Sequence, residues 1–184
     1  INLYSYVKNP FTDKAEFDFD LFRKHVGKAQ RIMDDIIDLE MEKIEMIIAK
    51  IATDPETDEV RMTELHLWEK IRNKTLKGRR TGCGTTGEGD MLAALGYRYG
   101  TPEATEFSTE VHRQLALAYY SASVDMAEER GAFEIYDPER EKDNVYINRL
   151  KESDPALYER MCKVGRRNIA CLTIAPTGTT SLMT

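Results

Sequence analysis

Six consecutive residues near the end of the sequence could bind an anion. Positions 176–181 read Pro-Thr-Gly-Thr-Thr-Ser, and they follow an alternating apolar run at 169–175 that predicts a buried strand. A turn through Gly178 into a helix would place backbone N–H groups at the carboxyl end of this strand, where open α/β sheets bind ligands. The candidate phosphate-binding residues are Pro176, Thr177, Gly178, Thr179, Thr180 and Ser181.

Hydroxyl groups suit this loop to phosphate because they donate hydrogen bonds without adding charge. Each hydrogen bond to a charged oxygen contributes about 1.5–3 kcal/mol, so three or four of them hold a phosphate at roughly millimolar to micromolar strength. Gly178 is expected to allow the turn, and Gly178→Val should therefore block it. An N-capping loop with surplus hydroxyl groups explains the same residues equally well.

A second candidate is an acidic row on the first predicted helix. Asp34, Asp38 and Glu42 recur four residues apart, so one helix face could hold Mg²⁺ against a diphosphate, as the Asp-Asp-x-x-Asp motif of all-helical prenyl synthases does. Such enzymes need a second aspartate-rich helix, and this sequence lacks one. A solvated acidic face is therefore favoured, and a prenyl-diphosphate enzyme using Asp34, Asp35 and Asp38 is kept as an alternative.

Glycines are densest at 82–87, which read GCGTTG. This segment fits G-x-G-x-x-G, but no apolar strand precedes it and no lysine follows the last glycine, so neither a dinucleotide fingerprint nor a P-loop is indicated. The glycines are interpreted as permitting close backbone approach before a short helix at 91–95. Phosphate binding here is the lesser alternative.

The cysteines and histidines receive no functional role. The three cysteines are odd in number and form no C-x-x-C, so neither a disulfide framework nor a zinc site is indicated. Cys171, inside the apolar run, and Cys83, between glycines, are expected to be small buried residues with a raised thiol pKa. Cys162 is the third. The histidines lie in helical patterns without the spacing of metal ligands, at His25, His66 and His112.

Helices must supply most of the framework that positions these residues. Apolar residues at three- and four-residue spacing predict helices at 18–51, 62–76, 91–95, 102–130, 145–150 and 155–164. Thr63 and Thr101 are the expected caps of the second and fourth helices, and Gly131 ends the fourth. The strand at 169–175 is apolar on both faces, so we expect other elements to pack on both of them. We also expect its partner strands to lie outside this sequence. The fold class is mostly α with a minor β component.

Composition limits the classes of function. The chain has 184 residues, a net charge of -6 and 41% hydrophobic residues, so it can form a folded domain. Basic residues are scattered, so a nucleic-acid surface is not expected. No apolar run approaches the roughly 20 residues of a membrane span and no signal-peptide pattern is present, so we expect a cytoplasmic protein. The missing initiator Met and the abrupt end suggest a single piece, 1–184, of a longer chain.

Four segments in order carry a family resemblance: NLYSYVKNPF, GRRTGCGTTGEGDMLAALGYRYGT, AEERGAF and GRRNIACLTIAPTGTTS. They resemble the carboxyl half of the catalytic barrel of ribonucleotide reductase large chains, most closely the adenosylcobalamin-dependent class. The resemblance implies a fragment of an α/β ten-stranded barrel. It also implies a ribonucleotide substrate, thiyl-radical reduction to a 2'-deoxyribonucleotide, adenosylcobalamin in the full-length enzyme and a thioredoxin-type reductant, with a homodimer left open.

The resemblance also implies roles for particular residues. The substrate phosphates would lie on the loop at 176–181, mainly against the backbone of Thr179 and Thr180, with Ser181 helping. The radical cysteine and the glutamate of the family lie on an Asn-x-Cys-x-Glu loop that is absent here, and one reducing cysteine would fall just before Ile1. No catalytic or metal-binding residue is therefore assigned, and this piece alone is expected to be inactive and free of cofactor. A non-catalytic helical interaction module remains a further alternative.

Overall fold

The computed structural model describes residues 1–183, apart from the side chains of Ser181 and Met183. After a 3-10 helix at Leu3–Tyr6, a small antiparallel hairpin joins β1 (Val7–Lys8) to β2 (Glu16–Phe17). Seven α-helices follow within the described part: α1 (Phe19–Ile51), α2 (Asp58–Gly78), α3 (Glu88–Ala94), α4 (Pro102–Arg130), α5 (Pro138–Glu141), α6 (Val145–Ser153) and α7 (Pro155–Val164). A second 3-10 helix spans Thr180–Met183.

Side-chain caps fix where the helices begin. The Thr101 hydroxyl accepts the Ala104 N–H at the start of α4, and Gly131 ends that helix, which confirms both sequence predictions. The prediction for α2 was wrong, because Thr63 lies inside the helix and Thr57 is the cap. The acidic residues just after Thr57, which read as a turn in the sequence, instead occupy the first helical turn, where the helix dipole favours negative charge.

Helices α1 and α4 run parallel and form the centre of the core. Arg23 donates to Gln114 at 3.0 Å, and Arg31, two turns later, forms an ion pair with Glu129. The added Cβ of an alanine at Gly27 would lie only 3.8 Å from α4, so the helices approach closely at this point. The apolar residues between them are fully or almost fully buried, at Phe22, Val26, Val111, Leu115 and Tyr119.

Helix α2 packs on the second half of α1, where the buried side chains are Ile37, Ile44 and Ile51. Within residues 1–183, no helix combines the length and the hydrophobicity that crossing a membrane requires. The mostly helical prediction is confirmed.

Three extended segments lie side by side and point in the same direction; we call residues 1–3, 81–86 and 169–173 the parallel ladder. Leu3 N–H donates to Thr86 O and Thr86 N–H donates to Ile1 O, both at 2.9 Å. On the other side, Cys83 N–H donates to Cys171 O at 2.9 Å and Thr173 N–H to Cys83 O at 3.1 Å. Parallel bridges join Asn2 to Thr86 and Cys83 to Leu172.

The ladder corrects the prediction of one strand at 169–175 with partners elsewhere. That segment pairs through a single bridge, and its partner is the glycine segment of the same chain. Glycine-rich sequence has low strand propensity, which is why the partner was not recognised. The prediction that both faces of this strand are covered is also wrong at its carboxyl end. Ile174 is 97% exposed there, and the backbone pairing stops at Thr173.

Candidate functional site

The loop at 176–181 follows the last residue of the parallel ladder, at the end toward which all three segments point. Its backbone turns at Thr177, whose φ of 55° lies in the left-handed region. The Thr177 hydroxyl donates to Ala175 O at 3.0 Å. Leu182 N–H donates to Thr179 O at 3.1 Å and closes the 3-10 turn that follows. The Ser181 side chain lies outside the described residues.

The chain turns at Gly178 and Thr179 before the 3-10 helix at Thr180–Met183, as the sequence predicted, but this turn does not need the conformational freedom of Gly178. Its φ is not in the left-handed region, and a Cβ added there meets nothing within 4 Å. The left-handed residue is instead Thr177, a β-branched residue for which that conformation is uncommon. Backbone strain of this kind is concentrated at ligand sites. A side chain added at position 178 therefore begins in open space.

A cavity of about 290 Å³ opens beside this loop. One wall carries Ile174, Ala175 and Thr177, and the opposite wall carries the end of the glycine segment, the first residue of α3 and one side chain of α4. The residues of that opposite wall are Thr85, Thr86, Gly87, Glu88 and His112. The carboxyl ends of two ladder segments thus meet helices α3 and α4 around a small space whose lining is slightly more polar than apolar.

His112 was not assigned a role from the sequence, and it lies at the centre of this region. Its Nδ1 is 3.0 Å from Ser108 O. A carbonyl only accepts, so Nδ1 carries the hydrogen and Nε2 is left for another partner. The Ser108 hydroxyl donates to the Glu88 carboxylate, which ties α4 to α3 at the same place. No sequence signal marks His112, because its neighbours come from segments distant in the chain.

A second cavity of about 340 Å³ adjoins the first and shares Thr85, His112 and Ile174 with it. Its lining is mostly apolar and includes Leu115, Ala116 and Tyr146. Burial, with a smaller contribution from Cys171, raises the pKa of Tyr146 to about 12, so its hydroxyl stays protonated at neutral pH. The two cavities form a groove with one polar and one apolar end.

The glycine segment fits against its neighbours because it lacks side chains. A Cβ on Gly84 would lie 2.9 Å from Thr173 O, and one on Gly82 would lie 3.2 Å from the Thr173 side chain. Gly87 has a φ of 70°, and a Cβ there would lie 2.5 Å from the Asn2 side chain. Close backbone approach is therefore confirmed as the function of these glycines in the fold.

The expectation of a solvated acidic face was wrong for Asp34. This residue is fully buried and accepts hydrogen bonds from Arg79 Nε and Asn168 Nδ2, both at 2.8 Å, and ion pairs with Arg130 and Arg167 at 3.4 and 3.3 Å. Burial by itself would raise the pKa of Asp34, but the hydrogen bonds from Arg79 and Asn168 hold the pKa below its ordinary value. The partners lie up to 134 positions away in the sequence.

The same arginines explain why the acidic row is unsuited to Mg²⁺. Oxygens of Asp34, Asp35 and Asp38 lie within 4.8 Å of one another. However, Arg79 bridges Asp34 and Asp38, and Arg130 bridges Asp34 and Asp35. The guanidinium groups already supply the positive charge that a cation would bring, and this counts against the prenyl-diphosphate alternative.

Asn168 connects the Asp34 cluster to the start of the ladder segment that leads to the loop. Its amide donates to Arg79 O at 3.0 Å, and its carbonyl accepts from Gln30 at 2.8 Å and from Ser123 at 2.9 Å. All of these side chains are fully or almost fully buried. The amide therefore fixes residue 168 against α1, α4 and Arg79, the residue that follows α2.

Arg166 anchors the same segment from the other side. It is 1% exposed and makes two hydrogen bonds of 2.6 Å with Glu141. It also donates to Asn168 O and Ile169 O at 3.1 Å and stacks 5.3 Å from the Phe133 ring. A buried, paired guanidinium thus holds two consecutive carbonyls at the start of the segment.

The cysteines follow the sequence expectation only in part. Cys171 is fully buried, and burial raises its pKa to about 12, as predicted. Cys83 is only half-buried and lines the apolar cavity. Its neighbour Tyr119 is completely buried, and burial followed by the nearby Cys83 raises the pKa of the Tyr119 hydroxyl far above its ordinary value.

Comparison with known proteins identifies this arrangement. All residues, 1–184, match the family model of the ribonucleotide reductase barrel domain. The chain belongs to this family. Its resemblance to the large chains of ribonucleotide reductases, drawn from the sequence, is confirmed.

Relatives within the ribonucleotide reductase family agree. The chain is 30% identical over 184 residues to the vitamin B12-dependent ribonucleoside-diphosphate reductase of Thermoplasma acidophilum. This alignment covers 100% of this chain and 18% of that protein. The chain is 30% identical over 166 residues to the enzyme of the same description from Mycobacterium tuberculosis, covering 90% and 18%. With the ribonucleoside-diphosphate reductase subunit alpha of Chlamydia pneumoniae it shares 26% over 200 residues, covering 98% and 16%. The chain thus spans less than a fifth of these relatives.

Proposed function

We propose that this chain, 1–184, is one piece of the barrel of a ribonucleotide reductase that converts ribonucleotides to 2'-deoxyribonucleotides by thiyl-radical chemistry. Within that enzyme, the loop at 176–181 holds the phosphates of the substrate. The observation that carries the proposal is the position of the loop, at the carboxyl end of the parallel ladder and beside a polar cavity. Three parallel segments covered by helices are what a piece of an α/β barrel requires.

The loop holds phosphate through backbone N–H groups and the hydroxyls of Thr179 and Thr180. Both residues are exposed, so their donors are accessible to a ligand. The Thr177 hydroxyl contributes less, because its hydrogen is already donated to Ala175 O. Thr177 itself lines the cavity, and its left-handed backbone changes the direction of the chain just before Thr179 and Thr180.

The reducing chemistry is assigned to other parts of the enzyme. Replacing the 2' hydroxyl of the ribose by hydrogen releases water and takes two electrons, which a cysteine pair supplies by forming a disulfide. A thioredoxin-type reductant then returns the pair to thiols. Cys171 is unsuited to this work, because it is fully buried and its pKa of about 12 keeps it a thiol. The contribution of this chain is to bind and orient the substrate.

Adenosylcobalamin is the cofactor we propose for the whole enzyme, since two relatives are described as vitamin B12-dependent. The described residues do not fit a corrin ring. Their cavities range from about 290 to 460 Å³, a size for small ligands or parts of ligands. The cofactor surface is therefore assigned to the rest of the enzyme.

The test is the Michaelis constant of the full-length enzyme for a ribonucleoside diphosphate. Thr179→Ala removes one donor to a charged oxygen and should raise KM by about tenfold with kcat unchanged. Thr177→Gly is the matched control and should leave KM within about twofold, because glycine accepts the left-handed backbone. Gly178→Val should raise KM strongly without lowering thermal stability. An unchanged KM in both Thr179→Ala and Gly178→Val would overturn the proposal.

A further inference from the structure

The proposed phosphate loop has no positive charge of its own. Its six residues are proline, glycine and hydroxyl side chains, and the chain carries a net charge of -6. A nucleotide phosphate carries up to two negative charges near neutral pH, and neutral donors alone leave them uncompensated. A cationic side chain within reach of the loop would therefore contribute more than another hydroxyl.

His112 lines the cavity that opens beside the first half of this loop. It and Thr177 line the same cavity of about 290 Å³, and among the described residues that line it, His112 is the side chain able to become cationic. Its Nδ1–H is held by Ser108 O, which fixes the ring orientation. No hydrogen bond to Nε2 is made by the part of the chain that the structure describes, so this nitrogen is available to a ligand.

We propose that His112, in its protonated form, donates its Nε2–H to the substrate phosphate and supplies the positive charge that the loop lacks. The inference rests on the proposed function, since it concerns the phosphate bound by residues 176–181. When the ring is neutral, Nε2 becomes an acceptor and faces the acceptor oxygens of the phosphate. Substrate binding should therefore weaken as the pH rises through the range in which histidine loses its proton.

Charged and titratable groups of the neighbouring elements also contribute to the electrostatic environment of His112. Glu88 faces the cavity from α3, and the side chains of Cys83 and Tyr146 face its apolar extension. A third cavity shares His112 and is lined by three charged side chains, Arg113, Arg149 and Glu152. It includes no residue of the loop at 176–181. Arg113 is already paired with Glu110 at 2.7 Å.

The experiment measures KM for a ribonucleoside diphosphate in the full-length enzyme between about pH 5 and pH 8, where the charge of an ordinary histidine side chain changes. His112→Gln keeps a polar side chain without a titratable charge. It should raise KM by about tenfold at the acidic end, converging to within about twofold at the alkaline end, with kcat unchanged. The comparison with wild type at each pH removes the ionisation of the substrate phosphate itself.

Two control variants separate this effect from a general loss of charge. Arg149→Gln removes a charge from the cavity that excludes the loop, and His66→Gln changes an exposed histidine on α2. Both should follow the wild-type profile. His112→Lys should give a KM close to the acidic wild-type value and should lack the rise in KM that wild type shows toward alkaline pH, because lysine stays charged throughout this range.

The outcomes distinguish the inference from the function on which it rests. A His112→Gln profile that parallels wild type at every pH, while Gly178→Val still raises KM, overturns the role of His112 and leaves the loop assignment standing. If neither variant changes KM, both fail. If His112→Gln fails to fold, the pH profile of His112→Lys decides, and a slope equal to that of wild type overturns the inference.

Discussion

Replacing Asp34 by asparagine tests whether the buried ion cluster holds the fold together. The substitution keeps the size of the side chain but removes a charge that is 0% exposed and faces Arg79, Arg130 and Arg167. Losing one partner of a buried ion pair costs about 3–5 kcal/mol. We expect the lower end, about 3 kcal/mol, because Asp38 still pairs with Arg79 at 2.8 Å.

Urea unfolding followed by circular dichroism measures this loss. With an m value of about 2.5 kcal/mol/M, the midpoint should fall by about 1.2 M. Asp38→Asn is the matched control, since its carboxylate pairs with the same arginine but is 54% exposed, and it should cost about 0–1 kcal/mol. If Asp34→Asn lowers the midpoint no more than Asp38→Asn does, the cluster is not a source of stability and the reasoning is refuted.

The pH dependence of stability provides an independent check on Asp34. Its folded pKa is lower than its unfolded value, so its contribution is complete above the unfolded pKa and is lost as the pH falls through the folded pKa. Wild type should therefore lose stability in acid below the ordinary aspartate range more steeply than Asp34→Asn. Parallel acid profiles for the two proteins would contradict the low pKa.

Three further outcomes follow from burial and backbone geometry. Cys171, fully buried with a pKa of about 12, should resist a thiol reagent in the native protein, whereas the half-buried Cys162 reacts; equal rates would contradict the packing. Gly96→Ala should cost about 1 kcal/mol for its left-handed backbone alone. Gly165→Ala should lower the free energy of unfolding by about 1–3 kcal/mol more than Gly96→Ala does, because its Cβ would lie 2.5 Å from a neighbouring side chain. Equal losses for the two variants in thermal unfolding would argue against that contact. Thr177→Gly should raise the melting temperature or leave it unchanged, and a clear fall would show that the residue is not strained.

Local signals in the sequence were enough to predict helix α4 and the start of α7. Thr101 and Gly131 bound α4, and Asp154 caps α7, because caps depend on residues within one turn of the helix end. The ladder was not predictable in the same way. Its partner strand is glycine-rich, so neither periodicity nor β propensity distinguishes it from a loop.

The candidate site shows the same division between local and distant information. The run of hydroxyl residues at 176–181 is visible in the sequence, whereas His112 comes from a helix more than 60 positions earlier and joins the cavity only through the fold. Asp34 looked solvated because its arginine partners lie at distant positions. The sequence also predicted that glycine would be needed at position 178, whereas the left-handed residue of this loop is Thr177.

The parallel ladder determines the order in which this chain can fold. Its hydrogen bonds join residues 83 and 89 positions apart, such as Ile1 to Gly84 and Thr81 to Ala170. Each such bond requires closure of a long loop before any contact compensates for the lost chain entropy, whereas helices grow from neighbouring residues. Helices α1 and α4 should therefore form early and the ladder late, so the loop at 176–181 would reach its final position only in the slowest step of refolding.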